Sequence, residues 1–443
     1  MAEKRKLREI PHKLMFFQPE FIQTTVEKSY MEEYYPIGFN PTNLNETIRF
    51  HVRGTEHWID FEKSYFDVDC LITGSRPGIG GAAATAWGSV NDHTVTLTNN
   101  ILHCLFDSIK ILANDVVISN TENYPVVSFL ANLYNYSKEY MESHGRLYLF
   151  EKDDSEKMDD PSSTPSKVRK AWGPKVRGVL KLRVPLFLIK AYLISFVNLD
   201  IIMNRTQNQD FLFIQQATDT FRLEIKSITL NLRKAKLSSD YVEGMEQMLS
   251  KLGETIDYPL RECRVFTKAY AGYGNEIIED NLFHGVLPDK IFFGFVDSDA
   301  FQGDKAKNPF NFKNKNITEV GIYVNGQPHA LNPIGMNFAE NTHYKMYYHM
   351  LEALQTADPT QGHTINVTRD DFKNGFTIFC FDMSADQYGG LTPYSIYNTP
   401  ANVQLRIKFK QSNNTDNVTL IIYYELGAKM MIDKTRRVQI ISK

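Results

Sequence analysis

The sequence predicts an all-β chain of two tandem antiparallel sandwiches, and three observations carry that prediction. Apolar residues recur with a period of two: Val403, Leu405, Ile407 and Phe409 alternate with Gln404, Arg406, Lys408 and Lys410. That is the pattern of a strand with one dry and one wet face. The length of 443 residues exceeds one ordinary sandwich and suits two domains of roughly 200 residues. A helical run at 239–252, just past the midpoint, separates two strand-rich halves.

Strands are predicted, in order, at 47–52, 66–73, 94–97, 108–112, 181–184, 197–203, 221–232, 264–270, 290–296, 319–324, 376–381, 403–409 and 418–426. Within the seventh, Phe221, Leu223 and Ile225 give way to Ile228, Leu230 and Leu232. The change of phase at Ser227 predicts a bulge. The polar run 413–417 makes the last two strands a hairpin. Helices are few. Pro125 sits in the first turn of one, with Val126, Phe129, Leu130 and Leu133 on its face. Ser238 or Ser239 caps a second, which carries Val242, Met245, Leu249 and Leu252 and stops at Gly253. A third is predicted at 342–354.

This gives an N-terminal arm (1–44), a first sandwich (45–237), a linker helix (238–254), a second sandwich (255–431) and a C-terminal tail (432–443). An aromatic strand early in each half, at 65–70 and 291–296, hints at duplication. The segment 151–165, acidic and then rich in Pro and Ser, has nothing to bury and predicts an exposed loop. The Gly/Ala run at 74–88 predicts another.

Composition narrows the function classes. The chain is 42% hydrophobic and 23% charged, as in a soluble globular protein. A net charge of −3 argues against coating nucleic acid through bulk charge. Cys70, Cys104, Cys263 and Cys380 form no Cys-x-x-Cys pair and are expected as free buried thiols in a reducing compartment. The N-terminus lacks the apolar region and cleavage site of a signal peptide. The most apolar run, 184–203, is broken by Pro185, Lys190 and Asp200, so no transmembrane segment is expected. Without a secretory route the sequons at Asn45, Asn316, Asn366 and Asn417 are expected to stay unmodified.

No residue set carries chemistry, and neither a cofactor nor a metal is expected. Thr73, Gly74, Gly78 and Gly80 match the glycine turn of short-chain dehydrogenases, and Tyr134 with Lys138 has the Tyr-x-x-x-Lys spacing. The context fails: no long helix follows the glycines, and too little chain separates them from Tyr134 for a doubly wound fold. His343 and His349 are spaced wrongly for one helix face, so surface or core histidines are expected rather than ligands. Asp297, Asp299 and Asp304 lack calcium-loop spacing, which leaves a solvated loop. The basic ends, with Lys4, Arg5, Lys6 and Arg8 in front and Arg436 and Arg437 behind, have two readings. They are either arms that touch nucleic acid or a membrane surface through phosphate contacts, or solubilising termini.

A resemblance covers most of residues 45–437. Its anchor is 281–328, with two strand-like runs around a polar, aromatic loop of Asn308, Pro309, Phe310, Asn311 and Phe312. In the expected order come Trp58-Ile59-Asp60, the stretch 99–114, the Tyr-Pro helix at 123–136, Lys157-Met158-Asp159-Asp160, the join 233–238, the stretch 375–386 and Ile432-Asp433. Together these resemble the major capsid proteins of Polinton/Maverick elements and adintoviruses. The stretches 78–86 and 151–175 and the first forty residues match poorly.

The resemblance implies two eight-stranded antiparallel jelly rolls per chain, a few short helices in loops and no enzyme activity. It further implies homotrimeric, hexon-like capsomers that tile an icosahedral shell around double-stranded DNA. The place of work is then the virion, and the partners are further copies of the chain, neighbouring capsomers, penton and minor capsid proteins, and DNA at most through the basic termini. The 308–312 loop is expected at subunit contacts. Two rivals stay open: a non-viral double β-sandwich that binds a ligand, and a dehydrogenase-like oxidoreductase.

Overall fold

The computed structural model describes residues 23–41, 47–78, 83–87, 94–251, 253–329, 333–357, 365–384, 400–411 and 414–442. The first half contains β1 (Val26–Tyr34), β2 (Ile48–Val52), β3 (Trp58–Thr73), β4 (Thr96–Leu97), β5 (Phe106–Ala113), β6 (Val116–Thr121), β7 (Lys175–Leu180), β8 (Leu199–Arg205), β9 (Phe213–Ile214) and β10 (Arg222–Leu237). One sheet runs β1-β10-β3-β7 and the facing sheet β2-β8-β5-β6, with a small β4-β9 ribbon beside them. The second half contains β11 (Ile256–Tyr273), β12 (Glu276–Glu279), β13 (Lys290–Asp297), β14 (Ile317–Val324), β15 (Gln327–Pro328), β16 (Ile334–Gly335), β17 (Ile378–Asp382), β18 (Val403–Phe409), β19 (Asn414–Ile432) and β20 (Val438–Ser442). Its sheets run β11-β19-β13-β17 and β12-β18-β14-β15, with β20 joined to β19 and β16 to β14.

The two halves repeat one permutation. Set the ribbon and β20 aside and take the short β15 and β16 as one strand. The first, last, third and sixth strands of each half then share one sheet, and the second, seventh, fourth and fifth share the other. Each half is therefore a jelly roll. The order follows from antiparallel pairing at long range. β10 runs back along β3 from Arg222↔Thr73 to Ala235↔Trp58, and β19 runs back along β11 from Ile432↔Ile256 to Asn414↔Tyr273.

Alternation places the cores. β2 and β18 bury every second residue. Phe50 meets Phe66 at 5.3 Å in the first core, and Phe295 meets Phe409 at 5.8 Å in the second. Each such buried aromatic contributes about 1.5–3 kcal/mol through area removed from water. The bulge expected at Ser227 is present, as a register shift between Ile225 and Ser227 opposite β3.

Several expectations need correction. Residues 26–34 are not part of an arm: they form β1, the edge of the first sheet, where Tyr34 bonds the buried Lys234. Residues 438–442 are not a loose tail, because β20 extends the β19 ladder from Ile432↔Val438 to Ala428↔Ser442. The run 181–184 is not a strand. β7 stops at Leu180, and Pro185 opens a single turn (Pro185–Leu188), while Leu182 and Val184 still enter the core. The linker helix forms as Ser239–Lys251, and Leu249 is its one buried residue. Among the described residues, no helix is long and apolar enough to cross a membrane.

Candidate functional site: the seam between the two halves

Where the jelly rolls meet, irregular segments of both are buried against each other. The first half contributes the helix Tyr124–Tyr134, buried along its whole length, the loop 151–163 and the helix Thr164–Lys170. The second contributes the β13–β14 loop with Asn308–Phe312 and the short helix Arg369–Lys373.

Aromatic rings fill the interface. Phe310 stacks on Phe129 with centroids 4.2 Å apart and planes 5° from parallel, and Phe211 meets it edge-on at 5.9 Å. Phe312 joins the same stack at 6.5 Å from Phe129. Further along, Tyr134 packs on Phe292 at 5.5 Å and Phe292 on Tyr423 at 5.4 Å. Offset and edge contacts of this kind add about 0.5–1.5 kcal/mol each beyond area burial. Gly294 makes room for the loop: a β-carbon there would stand 2.7 Å from Phe312 Cδ1 and 2.8 Å from Thr377 O.

A polar lock lies beneath the rings. Arg169, fully buried, donates from Nε to Leu97 O (2.9 Å), from Nη1 to Glu151 O (3.0 Å) and from Nη2 to Asp153 Oδ1 (2.6 Å). Asn308, from the other half, donates through Nδ2 to Asp153 Oδ2 (3.3 Å) and to Met158 O (3.1 Å). Asp159 then accepts from the Asn308 amide (2.8 Å) and from Asn311 Nδ2 (2.9 Å). Burial pushes the Asp153 carboxyl up, against the opposing pull of the Arg169 charge and of hydrogen bonds from Arg169 and Asn308. The pair is retained at a desolvation cost and holds geometry more than it adds stability.

A second tie sits at the edge, where Lys152 Nζ lies 2.5 Å from Asp371 Oδ2. Asp371 also closes the capping box with Thr368. Burial raises the Asp371 carboxyl, but Lys152 and the Thr368 hydrogen bonds outweigh that and hold it below the usual carboxylate range. A clasp closes the opposite end. Asn114 Nδ2 donates to Arg436 O (2.7 Å), Arg436 Nε donates to Ser195 O (3.0 Å), and its Nη2 pairs with Glu246 of the linker helix.

These contacts bear on three expectations. Asn308, Pro309, Phe310 and Phe312 are buried and Asn311 is half-buried, within one chain. The loop is therefore an internal joint, with its buried side chains consumed by the first half. Arg436 is engaged within the chain, with its side chain 11% exposed, whereas Arg437 is exposed. The segment 151–165 is not an exposed loop, since Asp153, Met158 and Ser163 are buried in the seam. Lys4, Arg5, Lys6 and Arg8 lie outside the described residues.

The other sequence candidates find ordinary roles. Gly74 lies against the Thr220 backbone and Arg76 pairs with Asp219 at 2.6 Å, so the described part of the glycine turn fastens β3 to the start of β10. Tyr134 ends one helix and Lys138 begins another, which separates the supposed pair. Asp297 is held by Lys313 (2.6 Å) and Lys315 (2.9 Å), and among the described residues no group of three metal-ligating side chains occurs. The four cysteines are buried and unpaired. Sequence reasoning missed Arg169 and Asp153. Their signal was the acidic run itself, since a buried arginine needs a carboxylate within reach.

No family model matches the chain. It is 27% identical over 182 residues to the Caenorhabditis elegans protein "Uncharacterized protein F54H12.2", covering 41% of this chain and 43% of that one. The chain thus spans less than half the length of that relative. Solved structures align far more completely. The Sputnik virophage structure by cryo-EM covers 99% of this chain and 93% of its own, with a TM-score of 0.66 at 12% identity. PBCV-1 VP54, fitted into a reconstruction of Sputnik, covers 96% and 99% with a TM-score of 0.60 at 9% identity. The mavirus major capsid protein covers 99% and 96% with a TM-score of 0.56 at 10% identity. Two jelly rolls of the same permutation, joined by a buried aromatic seam and superposing along nearly their whole length, give this chain the double jelly-roll fold seen in viral major capsid proteins.

Proposed function

We propose that the chain is a major capsid protein, a structural building block that trimerises into pseudo-hexagonal capsomers and tiles an icosahedral shell around a double-stranded DNA genome. The observation that carries this reading is the seam. It fixes two equivalent sandwiches side by side inside one chain, so three chains present six similar units around a closed ring. Closure also covers sheet edges that would otherwise pair indiscriminately. The reading gives the chain no catalytic step. It places the protein in the virion, among copies of itself, with penton and minor capsid proteins as further partners and the basic N-terminal residues as its contact to DNA. The resemblance to Polinton/Maverick and adintovirus capsid proteins supports the same assignment.

Solution mass and negative-stain imaging of the purified chain test the reading. Trimers of hexagonal outline are expected, and a monomer at every concentration sinks it. Contacts within trimers are expected to be larger and more apolar than those between them. On raising salt and denaturant, shells should therefore come apart before trimers do, and simultaneous loss of both contradicts that ranking.

A further inference from the structure

The helix Tyr344–Ala353 rests against β17 with one histidine at its N-terminal boundary and another at its middle. His343, at its N-terminal boundary, is fully buried, with its ring stacked on Phe338 at 5.2 Å and facing Phe372 at 6.3 Å. His349 sets its ring edge-on to Phe381 at 5.1 Å. Among the described residues, no ring nitrogen of either histidine has a hydrogen-bond partner at bonding distance. These are imidazoles enclosed among aromatic rings, a setting that tolerates the neutral form and penalises the cation.

The surrounding charges do not remedy this. Burial holds His343 below its ordinary range. Arg369 and Lys373 oppose its protonation as well, while Asp370 and the Arg369 backbone favour it. A helix N-terminus is also unfavourable for a cation. Burial likewise lowers His349. Glu352, 3.8 Å from its Nδ1, pulls the other way, and His329 adds to the lowering. His329 itself is placed by its Nε2, 3.2 Å from Asp382 O on β17.

We propose that this helix is an acid-released cap on the second jelly roll: protonation of His343 and His349 detaches it from β17 and bares Phe372, Phe379 and Phe381. The sign follows from proton counting. With both folded values lowered, the opened state binds more protons than the closed one once the pH drops below about 6.5. Closure is therefore fully favoured above that pH and is lost progressively beneath it. Each histidine steepens the opening constant by at most about tenfold per pH unit, and the pair by at most about a hundredfold. The device is independent of what assembly the chain forms.

Amide hydrogen exchange on the full chain between pH 7.5 and 5, corrected for intrinsic rates, tests it. The opening constant of the 344–353 amides is expected to rise at least tenfold from pH 6.5 to 5.5, while β10 and β19 stay protected. In the double variant His343→Gln/His349→Gln that rise should disappear. A native chain without the rise, or a variant that keeps it, overturns the proposal. Should the variant not fold, NMR titration of the two rings in the native chain decides. Midpoints below 6.5 that coincide with loss of helix protection support the cap, and midpoints at the ordinary value overturn it.

Discussion

Two connections join the jelly rolls, and they differ in kind. The linker helix Ser239–Lys251 is continuous chain yet lies largely in water, with Leu249 its single buried residue. The seam has no chain crossing it, yet it is buried, aromatic and closed by Arg169, Asp153 and Asn308. Relative placement of the halves is therefore set by packing, with the helix serving to keep them near each other. Each connection can be damaged separately, and the size of the response ranks them.

The largest effect is expected at the lock. Arg169→Met leaves Asp153 buried without its counter-charge and should cost about 3–5 kcal/mol in urea unfolding. Adding Asp153→Leu should recover most of that, because the desolvation cost leaves with the pair. A neutral single variant would show that the lock is dispensable. Next comes the cradle for the signature loop. Gly294→Ala drives a methyl into Phe312 and the Thr377 carbonyl and should cost about 1–3 kcal/mol, read as a lowered unfolding midpoint.

At the edge of the seam the response should depend on pH. Asp371 is held below the usual carboxylate range by Lys152 and the Thr368 bonds, which together exceed the opposing effect of burial. Its contribution is present above the ordinary carboxylate pKa and is lost as the pH falls below about 4. Lys152→Met should therefore cost about 1 kcal/mol at pH 7, and the gap between variant and native chain should close towards pH 3. Smallest of all is the connector. Gly244 lies inside the linker helix, and a β-carbon added there would meet no atom within 4 Å, so Gly244→Ala should stabilise by about 0.5–1 kcal/mol. Spectra of the seam aromatics should not change. A larger response here than at Gly294 would reverse the ranking.

What the sequence made legible follows from range. Period-two alternation located β2, β10 and β18, and phase slippage located the bulge at Ser227, because both are local signals. The helix beginning at Ser239 was equally readable. The strand permutation was not, since β10 finds β3 across some 150 residues and no local pattern encodes that pairing. β1 was missed because charged residues on an edge strand resemble a solvated terminus, and β20 because five residues beside a basic run are too short a signal. The seam was misread twice. Acidic residues at 151–160 looked like solvated surface, yet Asp153 faces a buried arginine. Asn308–Phe312 looked like an outward signature, yet its aromatics serve the other half of the same chain.

The intramolecular character of the seam has a kinetic corollary. Phe129 and Phe310 belong to one polypeptide, so their encounter proceeds at a fixed effective concentration that dilution cannot lower. In a closed ring of three chains, every second junction between neighbouring sandwiches would be of this concentration-proof sort, leaving only the alternate ones to mass action. A nucleating ring of three chains then waits for two encounters, where six separate jelly rolls would need five.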